Sequence, residues 1–319
     1  MITLRPMKAQ DAEFSRTAAS LWTRACGPEL RIGARFINYN LRHSEGIARS
    51  GMVAMDGEIP VGFALASHAI SGPDTPDIGW VEAIAVLPRF RRKGIGSRLL
   101  DWAVTWLGEQ GCRIMYLGGG LRPFLPGLPA NLGSDAFFLK RRFKASQAEH
   151  DVYDLAGDLQ AYTPVPNPHL KDNPQVRRLK PGEEGDLREF LQKEFSGRWL
   201  YEFEEYMRQG DSIDDYMVIW TEQGIEAFSL LTTEKSQRPL NRYYMHNLPR
   251  PWGQLGSVGV SERCRGRGYG VLIVDTALQT LAKMGVRSCV VDWTGLTNFY
   301  RKFGFEPFRQ YHILYKELI

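Results

Sequence analysis

The sequence predicts an α/β protein made of two copies of one domain. Two short segments, residues 91–96 and 265–270, both read Arg-x-x-Gly-x-Gly, and Gly94 and Gly268 are 174 residues apart. The same offset holds without a gap from the apolar strand before each segment to the strand after it. Because self-similarity at a fixed offset marks a repeated unit, the pattern indicates an internal duplication.

A proline-rich stretch separates the two copies. Pro164, Pro166, Pro168 and Pro174 fall within residues 161–174, and closely spaced prolines interrupt both helices and sheet ladders. A chain of 319 residues is also longer than the roughly 250–300 residues at which single cores stop growing. We therefore predict an N-terminal domain at 1–160, a linker at 161–174 and a C-terminal domain at 175–319.

Both copies show the same order of predicted elements. A short alternating strand leads through a proline turn into a helix, a helical stretch with aromatic residues follows, and two strands then form a hairpin. The hairpins turn at Asp56-Gly57 and near Gly224, which are favoured turn residues. Strands are predicted at 2–5, 52–55, 61–66, 81–86 and 114–117 in the first copy and at 176–179, 216–220, 225–231, 255–260 and 288–291 in the second.

An amphipathic helix follows each glycine segment. Gly111 and Gly285 come after these helices and are expected to end them in the left-handed conformation. Apolar residues recur at helical spacing at Leu99, Leu100, Ala103 and Leu107 and, in the second copy, at Ile273, Val274, Ala277 and Leu281.

The bulk composition excludes several classes of protein. No apolar run approaches the ~20 residues of a membrane helix, and the N-terminus lacks a charged-then-apolar signal layout, so we expect a cytosolic chain without a membrane partner. A net charge of +4 is too small to argue for nucleic acid. The four cysteines form no Cys-x-x-Cys pair and no two histidines have metal-ligand spacing, so we expect reduced thiols and no metal site.

The glycine segments have the properties of anion-binding loops. A helix N-terminus offers free backbone N–H groups and a positive dipole end, and glycines allow the main chain to approach the anion closely. Nearby arginine and lysine side chains add charge suited to phosphate. The Gly-Lys-Ser/Thr ending of an NTPase loop and the Gly-x-Gly-x-x-Gly dinucleotide fingerprint are both missing from the two segments.

At these residues the sequence resembles the GNAT superfamily of acyl-CoA N-acetyltransferases, over nearly the whole chain and as two family domains in tandem. The resemblance implies a mixed, mostly antiparallel sheet flanked by helices in each domain. It also implies that the loops bind the pyrophosphate of coenzyme A, with acetyl-CoA as the acetyl donor. The implied coenzyme-binding residues are Ile84, Ala85, Val86, Arg91, Arg92, Lys93, Gly94, Ile95, Gly96 and Ser97 in the first copy and Val258, Gly259, Val260, Arg265, Gly266, Arg267, Gly268, Tyr269, Gly270 and Asn298 in the second.

A second family motif is present in one copy only. The segment that contains Asn298, Tyr300 and Gly304 is similar to the family's Asn-x-Tyr-x-Lys-x-Gly-Phe motif. In the first copy Phe138 stands at the tyrosine position and Arg142 at the glycine position. By the resemblance, Tyr300 would protonate the leaving thiolate, and the alternative is a packing aromatic residue.

The repeat also exposes an asymmetry in carboxylates. Glu82 aligns with Gly256, and Asp292 aligns with Gly118. Either carboxylate could act as the base for the amine, directly or through water. Because Asp292 and Tyr300 occur together, we predict that the chemistry takes place in the C-terminal domain, while the N-terminal copy binds coenzyme A. A cap on the following helix is the alternative for Asp292.

Hints about the acceptor are fewer. The helical stretch 199–206 is acidic and aromatic and runs into Asp211, Asp214 and Asp215, whereas its counterpart in the first copy is basic. In the family fold this region lines the acceptor side, so an acidic wall would suit a cationic amine. A solvated helix face is the alternative, and the basic counterpart could instead be a partner of the acidic stretch.

The predicted function is therefore acetyl transfer to a primary amine, with several questions open. A non-catalytic acyl-CoA-binding or sensing protein is the main alternative, and RNA binding through the arginine-glycine segment is a weaker one. Residues 124–129 and 292–296 resemble a bacterial tandem subgroup sometimes fused to glycosidases of amino-sugar metabolism, and mycothiol synthase is a more distant two-domain analogue. Amino sugars, aminoglycosides, polyamines, amino acids and protein N-termini stay open as acceptors, and so does the oligomeric state, a homodimer included.

Overall fold

The chain forms two compact units. The structure is a computed structural model, and it describes residues 1–7, 12–70, 77–146, 151–240 and 247–318. The first unit contains the residues up to Val152 and those from Arg309 onward, and the second contains Tyr153–Leu240 and Leu248–Phe308. Each unit has a mixed sheet with flanking helices, so the predicted α/β class is confirmed.

The helices and strands of the first unit begin at the N-terminus and end, before the linker, at Ala145. In chain order they are β1 (Ile2–Met7), α1 (Ala12–Cys26), α2 (Ala34–Leu41), β2 (Ile47–Asp56), β3 (Ile59–Ala69), β4 (Ile78–Val86), α3 (Ile95–Glu109), β5 (Ile114–Leu117), β6 (Leu128–Pro129), α4 (Asp135–Leu139) and β7 (Lys144–Ala145).

The second unit begins with the next strand, and the last two strands of the chain return to the first unit. The elements are β8 (Val152–Asp158), β9 (Gln175–Arg178), α5 (Glu184–Glu194), α6 (Arg198–Arg208), β10 (Tyr216–Thr221), β11 (Gly224–Thr233), β12 (Trp252–Val260), α7 (Tyr269–Lys283), β13 (Ser288–Thr294), α8 (Thr297–Arg301), β14 (Glu306–His312) and β15 (Leu314–Glu317).

The two sheets have the same plan. The strand order is β1-β2-β3-β4-β5-β15-β7 in the first unit, and it includes β8-β13-β12-β11-β10-β9 in the second. Among these described strands, β4–β5 and β12–β13 are parallel pairs, whereas the register of the other pairs is antiparallel. The predicted hairpins β2–β3 and β10–β11 are both present.

Each sheet also contains a strand that the sequence repeat assigns to the other copy. β15, from the C-terminal end of the chain, pairs with β5 and β7 in the first unit. β8, from the first sequence copy, pairs with β13 in the second unit. The predicted boundaries 1–160 and 175–319 follow the repeat, and the compact units differ from them by these exchanged strands.

The helix after each glycine loop packs its apolar stripe on the sheet. In α3 the buried residues include Leu99, Leu100, Ala103 and Leu107, which is the predicted set. In α7 they include Ile273, Val274, Ala277 and Leu281. Gly111 and Gly285 follow these helices with φ angles of 83° and 83°, in the left-handed region that favours glycine.

The cysteines are free, and Cys112, Cys264 and Cys289 are buried. Burial raises the pKa of the Cys26 and Cys289 thiols to about 12, which makes these thiols poor nucleophiles. In the described residues, no group of three or more His, Cys, Asp or Glu side chains could hold a metal ion. Among the described helices, none is long and apolar enough to cross a membrane.

Candidate active site

The two glycine loops have the same backbone geometry. Gly94 and Gly268 immediately precede α3 and α7, with φ angles of 78° and 87°. An L-residue in that left-handed conformation is strained, so glycine is favoured at both positions. A glycine at each of these positions lets the main chain approach an anion closely at the first N–H groups of the helix, as an anion site at a helix N-terminus requires.

The arginine that begins each motif holds the loop to its own strand. Arg91 Nε donates to the carbonyl oxygen of Val86 at 3.0 Å, and Arg265 Nε donates to that of Val260 at 3.3 Å. Arg91 also donates to the carbonyl oxygen of Ala25 at 2.6 Å. These guanidinium groups therefore hold the loops to their strands, and all five cationic loop residues are exposed: Arg91, Arg92, Lys93, Arg265 and Arg267.

A buried carboxylate holds the second loop through hydrogen bonds. Glu226 on β11 accepts hydrogen bonds from Ser261 Oγ at 2.5 Å and from Arg263 Nε at 3.0 Å. The backbone N–H of Ser261 also donates to the carbonyl oxygen of Glu226. In the first unit the backbone N–H of Leu87 donates to the carbonyl oxygen of Val61 in the same way, but both of these residues carry apolar side chains. The sequence signal for Glu226 was available, because a charged residue inside an apolar strand is rarely left without a partner.

The parallel strands separate beside each loop, as the family resemblance implies for a coenzyme cleft. In the second unit the pairing of β12 with β13 runs from Trp252 to Gln254 and stops, although β12 continues to Val260. In the first unit the pairing of β4 with β5 stops at Val81. The predicted thioester-contacting residues, Ile84, Ala85 and Val86 with Val258, Gly259 and Val260, lie on the separated ends of β4 and β12.

Both separated strands of the second unit carry strained bulges. Ser257 on β12 has a φ of 39°, and Trp293 on β13 has a φ of 49°. The register of each strand with its antiparallel neighbour shifts at these residues. Backbone strain of this kind costs about 1–3 kcal/mol per residue and persists where the surroundings fix the conformation.

Two carboxylates fix those bulges. Ser257 Oγ donates to Glu202 Oε2 at 3.0 Å, and the buried Asp154 accepts a hydrogen bond from the Trp293 N–H at 3.2 Å. Arg198 joins the two groups, because its Nη2 lies 3.1 Å from Glu202 Oε1 and its guanidinium stacks 3.8 Å above the Trp293 ring. The two strand ends are thus held by one polar network.

Glu202 is ionised inside this network. Burial opposes ionisation, but the charges of Arg198 and Arg238 and the hydrogen bonds from Arg198 and Ser257 outweigh it, so the pKa of Glu202 is lowered. Arg238 Nη2 lies 3.7 Å from Glu202 Oε1. The sequence contains one signal for this network, which is the four-residue spacing of Arg198 and Glu202 on a predicted helix.

Most of the acidic stretch is neutralised within the second unit. Glu204 pairs with Arg188 at 2.6 Å, and Glu205 pairs with Arg208. Asp215 accepts a hydrogen bond from the Tyr206 hydroxyl at 2.5 Å. These contacts show that the stretch is not simply a solvated helix face, whereas its role as an acidic wall for a cationic amine stays a prediction.

Tyr300 lies in the core of the second unit with an exposed fraction of 6%. Burial raises the pKa of its hydroxyl, and the negative charge of Asp292 raises it further. The charge of Asp292 therefore acts on the Tyr300 hydroxyl, which stays protonated. Asp292 lies inside β13, whereas the residue at the N-cap of α8 is Leu296.

The carboxylate of the first unit has a different environment. Glu82 is fully buried on β4, where Oε1 lies 3.0 Å from Arg49 Nε and accepts a hydrogen bond from Ser67 Oγ at 2.6 Å. The side chain of Arg49 is only 7% exposed. Glu82 is therefore half of a buried ion pair, and Phe138 at the tyrosine position packs in the core without a hydroxyl.

The first unit also contains an insertion beside this ion pair. Gly118 and Asp292 are 174 residues apart, but Phe138 and Tyr300 are 162 residues apart, so the first copy has an additional 12 residues after β5. The inserted stretch is almost entirely buried. A methyl group at Gly120 would lie 3.4 Å from the Trp80 ring on β4, so the insertion packs against that strand.

The remaining predicted residues lie near the loops. Ser97 Oγ accepts a hydrogen bond from Arg141, whose guanidinium stacks 3.9 Å from the Phe137 ring. Asn298 is exposed on α8 and accepts a hydrogen bond from Arg301 at 3.1 Å. The approach of Arg141 to the first loop was not predicted, because no sequence pattern pairs residues 97 and 141.

We expect Ser257→Ala to lower the free energy of unfolding by about 1.5–3 kcal/mol, because it removes a hydrogen bond to a charged group. Chemical denaturation monitored by fluorescence checks this. Ser229→Ala is the matched control, since Ser229 lies opposite the same register shift on β11 and its buried hydroxyl has no hydrogen-bond partner among the described residues. Equal stability of the two variants would contradict a bracing role for Glu202.

Two mixed sheets, each with a separated parallel pair beside a glycine loop that opens a helix, define a tandem acyl-CoA-dependent transferase fold. The chain belongs to the acetyltransferase (GNAT) family, whose model matches residues 13–124 and 185–305. The family generally uses acetyl-CoA. The recognition of two family domains from the repeated loops is confirmed.

Solved structures and curated enzymes resemble the chain to different extents. The glucosamine N-acetyltransferase region of a fungal multi-domain GH3 β-N-acetylglucosaminidase is 28% identical with a TM-score of 0.86, over 99% of this chain and 38% of that one. A tandem GNAT protein from the clavulanic acid pathway is 18% identical with a TM-score of 0.71, over 100% and 99% of the two chains, which shows the fold alone.

Among curated enzymes, aminoglycoside N(6′)-acetyltransferase type 1 of Salmonella typhimurium is 33% identical over 69 residues. The matched part is 21% of this chain and 48% of that enzyme, so the chain matches about half the length of its curated relative.

Proposed function

We propose that the protein is an acetyl-CoA-dependent N-acetyltransferase of a primary amine and that the reaction takes place in the second unit. The observation that carries this proposal is that the charge of Asp292, on the separated end of β13, acts on the buried hydroxyl of Tyr300. The raised pKa of Tyr300 keeps its proton in place, and a proton donor is useful only in that state. The first unit has Phe138 instead.

The chain's residues divide the reaction between them. Acetyl-CoA supplies the activated acetyl group. Asp292 takes a proton from the attacking amine, directly or through water, and Tyr300 gives its proton to the departing thiolate. A free thiol has a pKa near ~8.5, so this donation assists the reaction without being indispensable. The backbone N–H groups around Val260 would contact the thioester carbonyl, and the N-terminus of α7 would hold the pyrophosphate.

The first loop also fits the coenzyme. A methyl group built at Gly94 meets no atom of the described residues within 4 Å, so none of them crowds this position at the helix N-terminus. Ile95, Gly96 and Ser97 supply the first backbone groups of α3, and Arg92 and Lys93 supply exposed charge. We propose that the first unit binds coenzyme A, while its buried Glu82–Arg49 pair has a structural role.

An amino sugar is the acceptor we propose first. The fungal relative is named for glucosamine and the curated bacterial relatives for aminoglycosides, and both acceptors carry primary amines on sugar rings. This proposal rests on the acceptors for which these relatives are named.

Incubation with acetyl-CoA and a panel of primary amines tests the proposal. We expect mass spectrometry to detect acetylated glucosamine, with slower or no acetylation of polyamines and amino acids. Product detection avoids thiol dyes, which would also react with the protein's own free cysteines. Binding of acetyl-CoA without acetylation of any amine would contradict the proposal and favour the acyl-CoA sensor.

A further inference from the structure

The linker between the two sequence copies contacts the second glycine loop directly. Asn167 Nδ2 donates to the carbonyl oxygen of Gly268 at 2.9 Å. The Tyr269 hydroxyl donates to Asp172 Oδ2 at 2.6 Å, and Arg267 Nη2 lies 3.5 Å from the same oxygen. A carboxylate of the chain thus stands at the loop that the proposed function assigns to the coenzyme diphosphate.

The linker reaches this loop along the surface of α7. Asp275, in the second turn of that helix, accepts hydrogen bonds from the Tyr162 hydroxyl at 2.7 Å and from the Val165 N–H at 3.1 Å. We call residues 162–172 the linker strap. It is attached at the second turn and at the N-terminus of α7, and it therefore follows the helix toward the anion-binding end.

The two loops of the chain provide an internal comparison. In the part of the chain that the structure describes, a methyl group built at Gly94 meets no atom within 4 Å, but one built at Gly268 would lie 2.6 Å from Asn167 Oδ1 and 2.8 Å from the Leu170 nitrogen. Gly94 is exposed, whereas Gly268 is half-buried. The backbone of the loops is alike, and the difference is the strap.

A residue that anchors the strap is also specific to the second copy. At the first position of the helix, Tyr269 takes the place of Ile95. Both side chains are buried, so either would serve the core, but only the tyrosine has a hydroxyl that can bind Asp172. Burial and then the hydrogen bond from Tyr269 to Asp172 raise the pKa of this tyrosine to about 12, so it remains a donor at neutral pH.

We infer that the linker strap is a built-in competitor for the anionic part of coenzyme A at the second loop. The inference rests on the proposed function, in which that loop binds the coenzyme. Asp172 and a diphosphate would both be drawn to Arg267 and to the positive end of α7, and like charges at one site repel. Coenzyme A therefore enters the first loop directly and the second only after the strap moves away.

Isothermal titration of the full-length protein with coenzyme A tests this order. Gly94→Asp closes the first loop by placing a negative charge there, and aspartate tolerates the left-handed backbone better than most residues. We expect weak binding in Gly94→Asp and about tenfold tighter binding in Gly94→Asp with Asp172→Ala, the size typical of a charged hydrogen bond. Equal affinities, or no binding in either variant, would overturn the inference.

Asp158→Ala in the Gly94→Asp background is the matched control. It removes the same charge at the opposite end of the sheet, where Asp158 lies 3.9 Å from Arg287 and pairs with the start of β13. We expect it to leave the affinity for coenzyme A unchanged. The same tightening in this variant would mean that net charge, rather than the strap, controls binding.

Hydrogen exchange gives a second readout that requires no catalysis. The Val165 N–H, protected by its bond to Asp275, should exchange faster when saturating coenzyme A is added to wild type. Unchanged exchange in saturated protein would contradict displacement of the strap. If the strap opens but no amine is acetylated, the proposed reaction fails while the inference stands.

Discussion

Replacing Tyr300 with phenylalanine is expected to lower kcat by about 100-fold, within the range of 10²–10⁴ for a positioned general acid. The structural reason is that the hydroxyl is held protonated by burial and by the charge of Asp292. The stability of the protein should change little, because the ring, which packs against Phe299 and Phe305, is retained. Product formation by mass spectrometry at saturating acetyl-CoA gives the rate.

The pH dependence of the same reaction provides an additional check. The raised pKa of Tyr300 means that the proton donor persists above the ordinary tyrosine pKa of about 10. The rate should therefore not fall on the alkaline side through loss of this proton up to about pH 10. A decline of kcat with an apparent pKa well below that of tyrosine would contradict the assignment.

Phe138→Leu is the matched control in the first unit. Phe138 occupies the position of Tyr300 and packs in the apolar core, so its truncation should affect stability rather than the chemical step. We expect a kcat within about threefold of wild type at a temperature where the variant is folded, since no proton donor is lost. A large loss here, with normal activity in Tyr300→Phe, would reverse the roles of the two units.

The sequence predicts the local elements of both units well. The hairpins at Asp56-Gly57 and Gly224 and the helices after Gly94 and Gly268 depend on turn residues and on apolar spacing within short windows. These signals are local, and each of them occurs twice because the sequence contains two copies of the domain. The observed β4 and β12 accordingly contain the predicted strands at 81–86 and 255–260.

The exchanged strands could not be predicted in the same way. β8 and β15 are short stretches of mixed apolar and polar residues at the ends of the sequence copies. An alternating pattern indicates that a strand has a buried face but not which sheet contains its partner. Pairing of β15 with β5 joins residues about 200 positions apart. Sequence reasoning from a repeat assigns each strand to its own copy by default.

The network around Glu202 was missed for a related reason. Its residues lie on α6, β12, β13 and β8. The residues with a left-handed backbone, Ser257 and Trp293, are not glycines, so the sequence does not indicate that conformation. The linker strap was predicted only as a linker, because prolines indicate the absence of regular structure but not which surface the chain covers. Contacts of this kind become visible only in three dimensions.

Replacing Arg49 with methionine is expected to destabilise the first unit by about 3–5 kcal/mol, the cost of leaving one member of a buried ion pair uncompensated. The side chains of Arg49 and Glu82 are 7% and 0% exposed, so water cannot substitute for the lost guanidinium. Calorimetry should show that the unfolding temperature of this unit is lowered by roughly 10 °C. Arg5→Met, which breaks the exposed pair with Glu58, should leave the melting temperature nearly unchanged.

The double variant Arg49→Met/Glu82→Leu separates a structural role of Glu82 from a catalytic one. Replacing both members of a buried pair by apolar residues of similar size is often neutral or stabilising, so we expect most of the lost stability to return. Activity retained by the refolded double variant would exclude Glu82 as the base and leave Asp292 in that role. A stable but inactive double variant would place the base in the first unit, since the methionine and leucine side chains fill the site but cannot accept a proton.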